Sequence, residues 1–152
     1  MTPATAAWTA EWADGLITVS QPVEVLREVV EAFRSYGGEG KPVNLQVHVS
    51  WADDDETALR IAHEQWGAVV LGSPVGWDLA LPSDFEDVAQ YVRPDDMHPQ
   101  VLACSDPEQH VAWLAELADI GFDEVYVHHV GQEQQGFLDV YAEKVLPALG
   151  AT

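Results

Sequence analysis

Apolar positions along the chain fall into two periods, helical and strand-like, separated by Gly and Pro. Leu26, Val29, Val30 and Phe33 recur at i, i+3, i+4, i+7, which predicts a helix opening after Ser20 and Pro22 and stopping at Gly37-Gly38. Thr2-Pro3 opens a shorter helix to about Ala13, with Trp8 and Trp12 one turn apart on one face. Gly15–Val19 is a brief apolar run of strand type. Val43–Ser50 alternates strictly, Val43, Leu45, Val47 and Val49 on one face and Asn44, Gln46, His48 and Ser50 on the other. Asp53 with Glu56, Ser83 with Glu86, and Ser105 with Glu108 each have the spacing of a capping box ahead of an amphipathic helix. The helix after Asp53 turns Leu59, Ala62 and Trp66 inward, and the one after Ser105 carries Val111, Leu114 and Ala118 on one stripe. Ala68–Pro82 reads as an apolar loop, Arg93–Pro99 as a polar one, and Val101–Cys104 as a brief extended piece. Glu124–Val130 is the last strand and Gln134–Leu146 the last helix, closed by Pro147.

Strands alternating with helices of this length argue for βαβ units and a parallel sheet. The expected fold is α/β with about three convincing strands and more helices than strands. A complete (β/α)8 barrel needs roughly 250 residues, so 152 residues hold about half of one. Residues 1–152 are expected to form a single domain, with residues 68–99 as an insertion. Its apolar part, Ala68–Pro82, is costly to leave in water. It serves as a lid, as a partner contact, or as a flap folded back on its own core.

The composition excludes several functions. Twenty-six Asp and Glu against six Lys and Arg give a net charge of −20, so nucleic acid and anionic membrane are not expected partners. A hydrophobic fraction of 47% with six Trp is enough for a packed core rather than a disordered chain. Cys104 is the single cysteine, which excludes an intrachain disulfide. With no 18-residue apolar run and no basic, apolar start, a reducing, cytoplasmic setting is the expectation.

Candidate chemistry concentrates at two places. The polar face of Val43–Ser50 either lines a ligand cavity or faces solvent. Adjacent His128 and His129 point to opposite faces of a strand and cannot chelate together; one of them can meet His48 across neighbouring strands, without a third ligand at metal-like spacing, so no metal is expected. His63, His98 and His110 read as solvated. Thr2 and Thr5 place hydroxyls and free amides at a helix start, which serves either as a phosphate cradle or as plain capping. Cys104 has no histidine near it in sequence and is not expected to be a nucleophile.

Thr2-Pro3-Ala4-Thr5-Ala6-Ala7-Trp8 followed by Ala13-Asp14-Gly15-Leu16-Ile17 resembles the helix and "Ala-Asp-Gly-(Leu/Trp)-Ile" of luciferase-like flavin- and deazaflavin (F420)-dependent oxidoreductases. Ser105-Asp106-Pro107-Glu108, then Gly121-Phe122-Asp123-Glu124-Val125, is similar to that family's later "(Ser/Thr)-x-Pro-Glu … Gly-(Phe/Val)-Asp-Glu-Val". Val130-Gly131-Gln132-Glu133-Gln134 and Lys144-Val145-Leu146-Pro147 extend the likeness over essentially the whole chain. The resemblance implies the C-terminal half of a (β/α)8 TIM barrel, with Gly15–Val19, Val43–Ser50 and Glu124–Val130 as strands six, seven and eight. It implies FMN or F420 as cofactor and hydride transfer or monooxygenation as chemistry. Thr2 and Thr5 would meet the cofactor phosphate, while Asn44, Gln46, His48 and His128 would line the lumen. No general acid or base is expected in this half, because the cofactor carries the chemistry.

Much of the family's ring and substrate pocket comes from strands that have no counterpart here, so the chain is expected to be inactive alone. Its expected partner is a second copy, forming a homodimer that buries the lumen and the apolar loop, or the missing N-terminal half. The alternative is a non-catalytic acidic half-barrel that acts as a dimerisation or assembly module.

Overall fold

The computed structural model describes residues 1–98 and 100–150, and its chain alternates helix and strand from the start. Helix α1 (Pro3–Ala10) leads to strand β1 (Leu16–Val19), α2 (Val23–Phe33), a π-type turn (Arg34–Gly38) and β2 (Val43–Ser50). After α3 (Asp55–Trp66) come a 3-10 turn (Gly67–Leu71), α4 (Gly72–Asp78), α5 (Pro82–Ala89) and a second 3-10 turn (Pro94–Met97). Strand β3 (Leu102–Ala103), α6 (Pro107–Ala118), β4 (Glu124–His129) and α7 (Gln135–Val140) follow, α7 running on through a π-type turn (Tyr141–Val145) into α8 (Leu146–Ala148).

All strands are parallel, as βαβ connections require, and β2 is the hub. Leu16, Ser20 and Cys104 donate their amides to the carbonyls of Pro42, Gln46 and Ser50, so β1 and then β3 occupy one edge of β2. Asp123 and Val130 donate to Val43 and Val49, which sets β4 on the other edge. The register pairs Leu16 with Val43, and His48 with His128.

Val43, Leu45, Val47 and Val49 are fully buried beneath the helices. Leu26 of α2, Leu114 and Leu117 of α6, and Phe137, Tyr141 and Val145 close over the middle of the strand. Ala6, Ala10, Leu16, Val29, Val30, Phe33 and Val43 form a second cluster between α1 and α2. On the opposite face the residues in register are Ile17 and Val19, then Asn44, Gln46 and His48, then Glu124, Tyr126 and His128. That face is open: Ile17, Val19 and Tyr126 are 56%, 46% and 48% exposed.

At the N-terminal edge of the sheet, Arg34 donates to Asp123 at 3.0 Å and to the carbonyls of Gly38 and Lys41, while Asp123 also accepts the Val43 amide at 2.7 Å. One guanidinium and one carboxylate thus fasten the end of α2 and the starts of β2 and β4. Those bonds hold the Asp123 carboxyl below the usual carboxylate range, the Val43 amide contributing most.

Several expectations need correction. The expected extended piece Val101–Cys104 is a fourth strand, Leu102–Ala103. Ala68–Pro82 is helical over Gly67–Leu71 and Gly72–Asp78 rather than a loop. Val69 and Val70 pack there with Val92 against Ala62, Met97 and Val101, so tertiary burial overrides the Gly and Pro punctuation. The start of α1 is as expected, while those of α3, α5 and α6 shift by a residue or two, because a neighbouring carboxylate takes the free amides. Asp54 rather than Asp53 caps α3, accepting Thr57 N at 2.8 Å. Asp84 rather than Ser83 takes the Ala80 and Leu81 amides before α5. Asp106 rather than Ser105 caps α6, and Ser105 binds Asp55 instead. Ser20 does not cap α2: it lies two residues before the uncapped start at Pro22, and its hydroxyl turns to the Gln46 carbonyl at 3.5 Å. Leu117, not Ala118, is the third buried residue of the α6 stripe. Pro147 sits within the last helical turn instead of closing it. Pro99, the end of the expected polar loop, and Ala151 and Thr152, the end of the expected domain, lie outside the described residues.

Adjacent β1 residues test the two faces. Leu16→Ala should cost about 2–5 kcal/mol by urea unfolding, because a buried leucine leaves a cavity. Ile17→Ala should stay within about 0.5 kcal/mol, as surface changes do. Comparable losses at both positions would mean that the open face is covered.

Candidate functional site

The C-terminal ends of β1, β2 and β4 carry the one place where several sequence-predicted residues converge. His48 and His128 occupy paired positions on the polar face, and their Nδ1 atoms lie 2.9 Å apart. Trp66, from the last turn of α3, completes a triangle in which each pair of ring centroids is 5.2 Å apart. Its Nε1 is buried without a partner. A cavity of about 550 Å³ opens beside this triangle, lined by Val19, His48, Gln65, Trp66, Val69 and Phe85. Val69 and Phe85 come from the helical segment between α3 and β3, which therefore reaches over the end of the sheet. Burial, then the neighbouring His128, pushes the His48 imidazole below its usual range.

Asn44 and Gln46 lie deeper on the same face. Asn44 donates to Glu124 at 3.5 Å, and its Oδ1 is buried without a partner. Gln46 stands opposite Tyr126, whose hydroxyl donates to Glu124. Thr2 and Thr5 are not joined to this group by any hydrogen bond. Thr2 Oγ1 accepts the Thr5 amide at 3.2 Å, and the two hydroxyls are 2.9 Å apart at the start of α1. The opposite end of α1 is anchored by Lys41, whose Nζ donates to the Ala10 carbonyl at 2.7 Å, two residues before β2 begins. That contact sets the C-terminal end of α1 near the N-terminal edge of the sheet.

The remaining polar residues have structural partners. His110, expected to be solvated, is fully buried. Its Nδ1 pairs with Tyr141 Oη at 2.8 Å and its Nε2 with the Cys104 carbonyl at 3.0 Å, so it ties α6 to the last helix. His63 Nε2 likewise pairs with the Val92 carbonyl at 2.7 Å. His129 faces the helices, stacked on Phe137 with centroids 4.5 Å apart. Burial raises the Cys104 thiol, which argues against a thiolate nucleophile. Among the described residues no group of three or more His, Cys, Asp or Glu is placed to hold a metal ion, and no helix is long and apolar enough to cross a membrane.

Sequence reasoning missed Trp66, Val69 and Phe85 as cavity residues. Trp66 shares a helical stripe with Leu59 and Ala62 and looks like core. Nothing local marks the other two, because a fold-back of some twenty residues brings them to the sheet.

The family model for luciferase-like monooxygenases matches residues 1–124. An F420-dependent glucose-6-phosphate dehydrogenase of Microbacterium testaceum is 28% identical, over 69% of this chain and 31% of that one. Its counterpart in Mycolicibacterium gilvum is 24% identical, over 97% and 46%. Among solved structures, an F420-dependent secondary alcohol dehydrogenase in complex with an F420-acetone adduct superposes with TM-score 0.82 at 18% identity, covering 98% of this chain and 47% of that one. The coenzyme F420-dependent tetrahydromethanopterin reductase of Methanopyrus kandleri does so with TM-score 0.69 at 18% identity, over 95% and 48%. The chain therefore spans between a third and a half of the length of these relatives.

The buried histidines set a pH response. The unfolded chain takes up protons near the ordinary imidazole value of about 6.5, whereas burial delays uptake by His48, His110 and His129 to lower pH. Below about pH 6.5 the unfolded state thus binds more protons, and stability falls as pH drops. Urea midpoints should decline between pH 6.5 and 5, well above the range where Asp54 and Asp123, both depressed, begin to matter. His110→Gln should flatten that decline; a midpoint constant from pH 8 to 5 would contradict it.

Proposed function

We propose that this chain, which belongs to the luciferase-like monooxygenase family, supplies the C-terminal half of a flavin- or F420-dependent oxidoreductase barrel. The observation that carries this reading is the open polar face. It places His48 and His128 beside a cavity at the C-terminal ends of parallel strands, where barrel enzymes bind their ligands. The F420 dependence of the relatives favours F420 over FMN. The residues present fit such a cofactor in two respects. Val19, Trp66 and Phe85 give an apolar wall suited to a planar ring. The start of α1 offers the Thr2 and Thr5 hydroxyls to a phosphate. Bound there, the cofactor would supply hydride transfer; the protein binds and orients.

The remaining pocket walls, in this reading, come from a partner on the concave face, and residues 68–99 act as its cover. Ile17 and Val19 line one free edge, and Glu124 and Tyr126 the other. Free edges and exposed apolar residues invite pairing, and for the isolated chain the available partner is a second copy. The net charge of −20 opposes self-association, but added salt screens it within about 8 Å at physiological strength. The single cysteine agrees with a reducing, cytoplasmic setting, which is part of the same proposal.

Fluorescence titration with F420 and with FMN tests the cofactor reading. Saturable binding should weaken about tenfold in Thr5→Val, which keeps the helix but removes one hydroxyl. Absence of binding to either cofactor would count against a cofactor site in this chain. Light scattering over a tenfold dilution tests association: a homodimer should dissociate on dilution and tighten with salt. A mass of 16.7 kDa at every concentration and salt would reject it.

A further inference from the structure

The contact between His48 and His128 has a chemical consequence at the far side of each ring. Two Nδ1 atoms 2.9 Å apart can share only one proton. The ring that donates its Nδ1–H keeps a bare Nε2, and the ring that accepts carries Nε2–H. With both rings neutral, the pair presents one acceptor and one donor, and moving the shared proton exchanges their roles. Neither Nε2 is bonded within the protein among the described residues, whereas His63, His110 and His129 all have structural partners. His48 lines the cavity; His128 lies toward the free edge of β4.

The cavity also limits what binds. None of the six Lys and Arg lines it. Arg34 and Lys41 are engaged at the opposite edge of the sheet, while Arg60 and Arg93 pair with Glu64 and Asp96. With apolar walls and no basic side chain, the histidine end of the cavity opposes a phosphate or carboxylate group and fits, beside the cofactor ring, a small molecule with one polar oxygen.

We propose that His48 and His128 form a one-proton couple that holds the oxygen of an uncharged alcohol or carbonyl compound in this cavity and relays its hydroxyl proton. This rests on the oxidoreductase reading above. Oxidation of an alcohol sends a hydride from carbon to a deazaflavin or flavin acceptor and a proton from oxygen to a base, and the oxygen's electron pair becomes the carbonyl bond. His48 Nε2 takes that proton, His48 Nδ1 passes its own to His128 Nδ1, and His128 Nε2 releases one to water. Along the relay three O–H or N–H bonds break and three form, beside the one C–H bond whose hydride goes to the acceptor, and neither ring holds a charge at the end. The low basicity that burial confers on His48 suits a relay that never rests as an imidazolium.

Long-range proton–nitrogen spectra of the 15N-histidine-labelled chain test this without any cofactor. Cyclohexanol and cyclohexanone should shift the His48 Nε2 resonance saturably, and inorganic phosphate should not. A His128→Gln variant that keeps its circular dichroism should bind cyclohexanol about tenfold more weakly, because His48 loses the partner that sets its tautomer. Unchanged affinity in that folded variant would overturn the couple, and so would a larger shift with phosphate than with the alcohol. Unmoved histidine resonances alongside intact F420 or FMN binding would also overturn it, leaving the cofactor reading in place. Shifts with the alcohol in a chain that binds neither cofactor would support the couple and sink the cofactor reading.

Discussion

Everything in this molecule depends on the register of β2. It is hydrogen-bonded along both edges, and its four valine and leucine positions are fully covered by α2, α6 and the last helix. A slip of one residue would drive Asn44, Gln46 and His48 into the helices and turn the apolar set outward. The Arg34 and Asp123 contacts guard against that slip from the N-terminal edge, because Asp123 binds the Val43 amide while sitting one residue before β4. The same register decides the chemistry. His48 faces His128 only while Asn44 is opposite Glu124; displaced by one, β4 would offer His129, which now stacks on Phe137.

The sequence made the strands and most helices legible because their signals are local. Strict alternation over Val43–Ser50 identified the hub and assigned its faces, and the opposite orientations of His128 and His129 follow from strand geometry alone. Helix starts were less legible, since Asp53–Glu56 offers several carboxylates and only the backbone path selects Asp54. The segment between α3 and β3 was misread for a different reason. Its helices are short, so their propensity signal is weak, and they owe their shape to packing on Ala62 and Met97. His110 was equally hidden: its burial depends on Tyr141, thirty-one residues further on.

The candidate site divides along the same line. Residues on the strands were found because the sheet's period names their face. Trp66, Val69 and Phe85 were not, because a helix stripe that supports a core and one that lines a cavity look alike until the sheet beneath is seen. Thr2 and Thr5 illustrate the converse. Their spacing is explained by capping alone, since Thr2 Oγ1 accepts the Thr5 amide.

Charge and cavity then make one arrangement. The acidic excess sits mainly on exposed helix starts and surfaces, where water screens it, while the cavity at the end of the open face has apolar walls and the paired imidazoles of His48 and His128. Covering the concave face would exclude water from that pair and strengthen its shared hydrogen bond, since the same partial charges interact more strongly at lower dielectric. Closure and chemistry are thereby linked. The surface that would bury Ile17, Val19 and Tyr126 is the one that dries the histidines, so whatever completes the barrel also tunes the site it encloses.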